Sequence, residues 1–206
     1  MRVRPVTPDR LVEELADRIA ALNHGPWVRV GVDGAPAAAA GALSAALVDP
    51  LRVRGHAVAT VSTEDFLRPA SVRLELGRTD PDSFYEGWYD LAALRREVLD
   101  PFARSGRFLP TLWNPAADRA TRATYRTLPS GGVLLLAGPL LLGAGLDFEY
   151  TVHLSMSAAA LARRTSDALR WTLPAFSRYA DEVAPETFAD VVVRVDDPRH
   201  PAVVER

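Results

Sequence analysis

The stretch of sequence that decides the fold lies at residues 31–43 and reads Gly31-Val32-Asp33-Gly34-Ala35-Pro36-Ala37-Ala38-Ala39-Ala40-Gly41-Ala42-Leu43. A short apolar run at residues 27–32 leads into it, and its length and β-branched residues predict a strand buried on both faces. An alanine-rich run at residues 37–48 predicts a helix. A strand, a glycine turn and a helix in this order are the framework of a phosphate-binding loop.

A working phosphate loop reads Gly, four residues, Gly, Lys, and then Ser or Thr. Its backbone amides surround the phosphates, the lysine neutralises them and the hydroxyl binds magnesium. With Gly34 as the first glycine, the second glycine falls on Ala39, the lysine on Ala40 and the hydroxyl residue on Gly41. No other frame restores the lysine, because all 24 Lys+Arg positions of the chain are arginine. By itself this pattern is equally compatible with an ordinary strand, turn and alanine-rich helix.

The composition narrows the class of protein. The chain has 206 residues, of which 48% are hydrophobic, and a formal net charge of -2, which predicts one globular domain over residues 1–206. It contains neither cysteine nor lysine, which excludes disulfides, a cysteine nucleophile and a Schiff-base lysine. The near-neutral charge predicts no nucleic-acid or membrane partner. Because the N-terminus is charged and the apolar runs are short, we expect a cytoplasmic protein without a signal peptide or membrane span.

Strand and helix patterns alternate outward from the turn. Short apolar runs predict further strands at residues 56–61, 133–136, 150–154 and 191–195. Apolar residues three or four apart predict amphipathic helices at residues 8–22, 91–102 and 157–169. This alternation predicts an α/β fold with a mostly parallel sheet covered on both faces.

Two segments, residues 69–89 and 110–130, are rich in proline, aspartate, arginine and aromatic residues but have no clear periodicity. Long irregular segments in a compact domain are usually functional loops. In an open α/β sheet, ligands bind beyond the carboxyl ends of the strands, so we expect these segments there.

Several further segments follow the turn in a characteristic order and spacing. They are residues 61–69 (VSTEDFLRP), 77–86 (GRTDPDSFYE), 90–101 (DLAALRREVLDP), 134–138 (LLLAG) and 189–198 (ADVVVRVDDP). Together they resemble the uridine kinase-like P-loop kinases of the nucleoside kinase and phosphoribulokinase superfamily, especially the actinobacterial branch, over about residues 28–204. The resemblance implies a three-layer P-loop NTPase fold with a mostly parallel five-stranded sheet and helices on both faces.

The resemblance also implies roles for the polar residues near the turn. In these kinases a carboxylate after the second strand takes the proton of the substrate hydroxyl, and Glu64 falls there, followed by Asp65. Both are candidate catalytic residues, although they are equally compatible with a polar strand end. A second carboxylate of the family, which supports magnesium, is replaced by Ala137. With the degenerate Walker A residues Ala40 and Gly41, this leads us to expect weak or absent ATP and magnesium binding, hence no cofactor and no metal.

A small-ligand cleft and an arginine-bearing lid at about residues 162–178 are further implications of the resemblance. The candidate cleft residues are Arg68, Arg78, Asp80, Tyr85, Trp113, Arg163, Arg164 and Arg170. Such arginines more often form ion pairs on a solvated face, and Trp113 is at least as well suited to covering the core. The four histidines, His24, His56, His153 and His200, lie far apart in sequence, so no zinc site is expected.

The sequence therefore supports a pseudokinase, transferase-like in fold, that retains a cleft for a small anionic or nucleoside-like ligand. A protein partner or a homo-oligomer is compatible with this hypothesis. Two alternatives remain, both of them active enzymes. One is an ATP-dependent small-molecule kinase in which arginines replace the lysine, and the other is a metal-free acid/base enzyme that uses Glu64 and Asp65.

Overall fold

The computed structural model describes residues 2–205 and is built around one seven-stranded sheet. The strands are β1 (Arg2–Pro5), β2 (Trp27–Asp33), β3 (Val58–Ser62), β4 (Gly132–Gly138), β5 (Tyr150–Ser155), β6 (Val191–Arg194) and β7 (Ala202–Glu205). Their order across the sheet is β1-β7-β6-β5-β2-β4-β3. The five strands from β6 to β3 are parallel, whereas β7 and β1 are antiparallel additions at one edge.

The five parallel strands are those that the apolar runs predict. In β2 and β4 nearly every residue is buried, as expected for central strands covered on both faces. The mostly parallel α/β sheet is confirmed, but it has seven strands and not five. The two additional strands, β1 and β7, are short, and most residues of β1 are exposed, so neither produces a continuous apolar run.

Two helices cover one face of the sheet. They are α1 (Pro8–Ala20) and α2 (Ala40–Val53). Helix α1 begins after Thr7, whose side chain accepts a hydrogen bond from the Arg10 amide, and it buries Leu11, Leu15 and Ile19. The predicted helix start at residue 37 is shifted, because Pro36–Ala38 forms a separate 3₁₀ turn before α2.

The remaining helices include those that cover the other face of the sheet. They are α3 (Ala70–Arg73), α4 (Pro81–Gly87), a continuous helical segment α5 at residues 91–105 with a π-helical middle (Leu94–Leu99), α6 (Ala158–Arg164) and α7 (Leu173–Glu182). The other face is covered mainly by α4, α5 and α7. No helix within residues 2–205 is both long and apolar enough to cross a membrane.

The segment after β5 differs from the single helix predicted at residues 157–169. Helix α6 ends at Arg164, because Thr165 is extended and its hydroxyl donates to the Leu161 carbonyl. A 3₁₀ helix, Asp167–Thr172, then leads into α7. The predicted lid at about residues 162–178 is therefore three short helical pieces.

The two irregular segments also contain short elements. Residues 69–89 follow β3 and hold α3 and α4, whereas residues 110–130 hold the two-residue strands Trp113–Asn114, Arg119–Ala120 and Arg126–Thr127. The Leu112 amide donates to the Asp65 carbonyl at 2.9 Å, which ties the second segment to the carboxyl end of β3. The expected position of these segments beyond the strand ends is confirmed at this point.

Candidate functional site

The turn that follows β2 satisfies part of its own hydrogen bonding. Within the 3₁₀ turn, the Ala38 amide donates to the Ala35 carbonyl at 2.7 Å, and the Ala39 amide donates to the Pro36 carbonyl at 3.1 Å. Pro36 has no amide proton. Ala39 adopts the left-handed conformation, with φ at 62°, and α2 begins immediately afterwards. Pro36, Ala38 and Ala39 therefore have no free amide to donate to a phosphate in this turn.

The side chains of this turn are small and carry no charge. Ala40 is buried at the start of α2, and a Cβ added to Gly41 would meet no atom within 4 Å. A Cβ added to Gly34 would lie 3.0 Å from Leu154 Cβ, so glycine here allows the turn to pack on β5. Ala137 is buried in β4, and its neighbour in register on β3 is Ser62.

The two candidate carboxylates lie directly after β3, in the 3₁₀ turn Thr63–Phe66. The Tyr89 hydroxyl donates to Glu64 Oε1 at 2.8 Å. Burial, and then the charge of Glu64, raise the pKa of Tyr89 well above its ordinary value. Asp65 is half-buried, and this burial raises the pKa of its carboxyl group. Within residues 2–205, no group of three or more histidine, aspartate or glutamate side chains is arranged to hold a metal ion.

An aromatic cluster joins α4 to the lid segment. It consists of Phe84, Trp88, Trp171 and Phe176, with ring centroids 5.3 to 5.7 Å apart. Such pairs stabilise packing beyond the apolar area that they bury. Residues 171–176 of the segment predicted as a lid are therefore packed against α4. No sequence pattern indicated this cluster, because its members lie in segments without periodicity.

The lid arginines contact protein groups. The Arg164 guanidinium donates to the Val195 carbonyl at 2.6 Å, and that of Arg170 lies 2.9 Å from Asp167. Arg163 is exposed. Arg178, on α7, lies within 3.2 Å of three carboxylates, those of Asp82, Glu86 and Glu182.

The remaining predicted cleft residues lie around α4. Asp80 caps α4 by accepting the Ser83 amide at 2.7 Å, and this hydrogen bond lowers the pKa of its carboxyl group. The Tyr85 hydroxyl donates to Glu182 at 3.2 Å, and Arg178 stacks over the Tyr85 ring.

Three further candidates have different surroundings. Trp113 donates to Asp118 at 3.1 Å and packs with Tyr85 against the same part of the core. Arg68 is held through its backbone, since its amide donates to the Trp88 carbonyl at 3.0 Å. Arg78 is exposed. Tyr85 and Trp113 thus pack against the same hydrophobic cluster, whereas Arg170 and Arg78 face solvent.

Sequence reasoning missed a buried polar cluster at the end of β2. Asp33 is fully buried, accepts the Leu141 amide at 2.9 Å and lies 2.7 Å from His153 Nδ1. The Tyr179 hydroxyl donates to the same carboxylate at 3.2 Å and accepts the Leu142 amide at 2.9 Å. Burial and the charge of Asp33 raise the pKa of Tyr179 far above its ordinary value.

The sequence did contain one signal for this cluster. Each of two apolar strand patterns includes a polar residue, Asp33 in the first and His153 in the second. Asp33 and His153 are cross-strand neighbours because β2 pairs with β5 in parallel register. Sequence distance conceals this pairing, since 120 positions separate the two residues.

Comparison with protein-family models gives no match for the sequence, and comparison with curated proteins gives none either. Among solved structures, the chain is similar to a possible uridine kinase from Bacillus stearothermophilus, with a TM-score of 0.70 and 19% identity, over 88% of this chain and 96% of that one. It is also similar to the putative fructose transport system kinase from Silicibacter sp. TM1040, with a TM-score of 0.62 and 20% identity, over 89% of this chain and 92% of that one.

The fold is therefore that of the P-loop kinases, as the sequence predicts. Within that class it is similar to the uridine kinase-like arrangement. At these identities the likeness establishes the fold, and function has to be argued from the site.

Proposed function

We propose that this chain is a pseudokinase, a protein with the uridine kinase-like fold that has lost phosphoryl transfer from ATP and retains a cleft for a small ligand. The observation that carries the proposal is the turn after β2. Its Ala38 and Ala39 amides are bonded to carbonyls of the same turn, and Ala40 and Gly41 stand where lysine and a hydroxyl residue are needed.

The residues of the turn do not fit ATP with magnesium. Phosphoryl transfer depends on positioning the phosphates and on neutralising their charge. A methyl group at Ala40 neutralises no charge, and neither Gly41 nor Ala137 supplies an oxygen to a metal ion. In other enzymes, loss of one such transition-state donor lowers the rate by about a hundredfold to a thousandfold. Here the lysine, the hydroxyl group and the strand-end carboxylate are all missing from the predicted phosphate site, at Ala40, Gly41 and Ala137.

The arginines do not replace the missing lysine in this proposal. Arg164, the last residue of α6, donates to the Val195 carbonyl, and Arg170, within the 3₁₀ helix Asp167–Thr172, pairs with Asp167. Trp113 is the better candidate to hold a small anionic or nucleoside-like ligand, because this ring is only partly buried and suits stacking on a base, whereas Arg178 lies over the ring of Tyr85. We expect this binding without ATP or magnesium.

A calorimetric titration with magnesium-ATP, combined with thermal unfolding, tests the proposal. We expect neither heat of binding nor a rise in Tm, because a ligand stabilises only a state that it binds. A ligand at a hundred times its Kd would add about 2.7 kcal/mol to the unfolding free energy, which is easily measured. Saturable binding of magnesium-ATP at millimolar concentration by the unmodified chain would contradict the proposal.

A variant with the missing residues restored provides the matched control. Ala39→Gly, Ala40→Lys and Gly41→Ser together rebuild the side chains of a phosphate loop on the same framework. We expect this triple variant to gain measurable affinity for magnesium-ATP in the same titration. An unmodified chain that binds as well as the triple variant would show that these side chains are not the reason for weak binding.

The environment of Asp65 favours a second candidate, a metal-free acid/base enzyme. Burial raises the pKa of this carboxyl group, and the neighbouring Glu64 accepts a hydrogen bond from Tyr89. A carboxyl group perturbed in this way beside a strand end is typical of acid/base sites. The test is a panel of nucleosides and sugar phosphates incubated without ATP and followed by NMR. Turnover that Asp65→Asn abolishes would favour this candidate over the pseudokinase, and no turnover of any compound would reject it.

A further inference from the structure

A cavity of about 300 Å³ lies between α6, α7 and the carboxyl end of β5. This volume is at the lower end of the range for pockets that hold small molecules. Neither Tyr85 nor Trp113, two of the predicted cleft residues, lines this cavity. It also differs from a phosphate site, because no arginine lines it and the turn after β2 contributes only Ala35.

The walls of the cavity are of two kinds. The apolar part of the lining comprises Leu140, Leu154, Met156, Leu161 and Phe176. Polar groups come from β5, α7 and the 3₁₀ turn Pro185–Thr187. A predominantly apolar pocket with a few polar groups fixing orientation is the usual form of a small-molecule site.

His153 provides the first polar group, and its buried hydrogen bond to Asp33 determines which ring nitrogen remains for a ligand. The Asp33 carboxylate can only accept hydrogen bonds, so the 2.7 Å contact assigns the proton to His153 Nδ1. Asp33 is held by the Leu141 amide and the Tyr179 hydroxyl, which fixes this arrangement. Within residues 2–205, no hydrogen bond engages Nε2 of this ring, which lines the cavity, so this nitrogen remains for a polar group of a ligand.

Glu186 provides the second polar group. It is half-buried, and its Oε1 accepts the Ser155 hydroxyl at 2.6 Å. Within residues 2–205, no arginine or histidine nitrogen lies within 4.0 Å of this carboxylate. A negative group at the edge of an apolar cavity without a cationic neighbour favours a ligand that donates hydrogen bonds or carries positive charge.

We propose that this cavity binds a small organic amine with an apolar body, whose N–H groups donate to the Glu186 carboxylate. The apolar body lies against Leu154, Leu161 and Phe176. Carboxylates and phosphates of the same size are disfavoured, because they would bring a second negative charge to Glu186.

The test is an NMR titration of the full chain with benzylamine, with benzoate as an anionic control of similar size, each to about 10 mM, above the millimolar Kd range of weak ligands. We expect saturable binding of benzylamine that is roughly tenfold tighter than that of benzoate. Glu186→Gln should weaken benzylamine binding by roughly tenfold, because it removes the charge and keeps the shape. Glu75→Gln removes a carboxylate far from this cavity and should leave the affinity unchanged.

A second variant separates ligand binding from folding. Ala180 is exposed on α7 and lines the cavity, so Ala180→Trp should block the opening while leaving the buried cluster intact. We expect this variant to unfold at the temperature of the unmodified chain and to lose benzylamine binding. The proposal is overturned if benzylamine does not bind, if benzoate binds equally well, or if Ala180→Trp and Glu186→Gln bind benzylamine like the unmodified chain.

Discussion

Two neighbouring regions at the carboxyl end of β2 have opposite chemistry. Asp33 belongs to a buried cluster in which the carboxylate is bonded to the Leu141 amide, to His153 and to Tyr179. The turn at residues 34–41, which begins at the next position, has no charged or hydroxyl side chain. In this P-loop kinase fold, polar groups are concentrated where they hold elements together and are lacking where a phosphate would require them.

The largest expected effect is that of Asp33→Ala. It leaves the Leu141 amide and His153 Nδ1 without a buried acceptor, at about 1–3 kcal/mol for each group, whereas the Tyr179 hydroxyl still has the Leu142 carbonyl at 3.1 Å. We expect the unfolding free energy in urea to fall by about 3–5 kcal/mol. Asp49→Ala, at an exposed position, is the control and should change it by less than about 0.5 kcal/mol. Equal effects of the two substitutions would remove the distinction between the cluster and the surface.

Gly138→Ala tests the close approach of β4 to the turn after β3. The added Cβ would lie 2.0 Å from Thr63 Oγ1, and Thr63 is fully buried. Because the buried side chain has little room to move, we expect a loss of about 1–3 kcal/mol, measured by chemical denaturation. If Gly138→Ala leaves the unfolding free energy unchanged, β4 and the turn after β3 move apart at little cost.

Tyr179→Phe removes one hydroxyl group from the buried cluster and leaves the ring. The Leu142 amide loses its acceptor, so we expect destabilisation of about 1–2 kcal/mol. Tyr85→Phe removes the hydroxyl of an exposed hydrogen bond and should have an effect below about 0.5 kcal/mol. If both substitutions lower the unfolding free energy equally, burial is not what makes the Tyr179 hydroxyl important.

Gly41→Ala tests the second region of the comparison, the turn at residues 34–41. Its added Cβ meets no atom within 4 Å, and Gly41 lies in the first turn of α2. Because alanine favours the helix more than glycine, we expect a gain of up to about 1 kcal/mol in thermal unfolding. Destabilisation by this change would indicate a constraint on the turn that its open surroundings do not suggest.

The smallest expected effect is the pH dependence of Asp65→Asn. Burial raises the pKa of the Asp65 carboxyl group in the folded chain, so the folded state binds its proton more tightly than the unfolded state does. The contribution of Asp65 to stability therefore declines as pH rises from the unfolded pKa to the raised folded pKa. Above that interval we expect the variant to be more stable by less than about 1 kcal/mol, because the group is half-exposed. Denaturation curves at several pH values that show no such trend would contradict this.

How far the sequence predicted the fold depended on burial. Strands β2 and β4 are buried on both faces, so their apolar runs were continuous and their predicted limits lie within a few residues of those observed. Strand β1 lies at the edge of the sheet. Most of its residues are exposed and arginines interrupt its sequence, so no apolar run marked it. The limits of a buried strand follow from local composition, whereas an edge strand is defined by its partner.

The candidate site was predictable only where its parts are adjacent in sequence. Ala40 and Gly41 were found because a phosphate loop is a local motif. The contact of Asp33 with His153 depends on which strands are neighbours in the sheet, and the contact of Phe84 with Trp171 depends on how the lid packs. Neither of these two contacts can be predicted from the spacing of residues in a single sequence.

The pairing of β1 with β7 has a consequence for folding during synthesis. Strand β1 (Arg2–Pro5) forms its sheet hydrogen bonds only with Ala202–Glu205, so nearly the whole sequence lies between the two partners. At a translation rate of roughly 5–20 residues per second, β1 waits on the order of 10–40 s for its partner to be made. Contacts this distant in sequence also slow folding, because a large loop must close before they form. The parallel part of the sheet can therefore assemble first, with β1 as the last strand to join it.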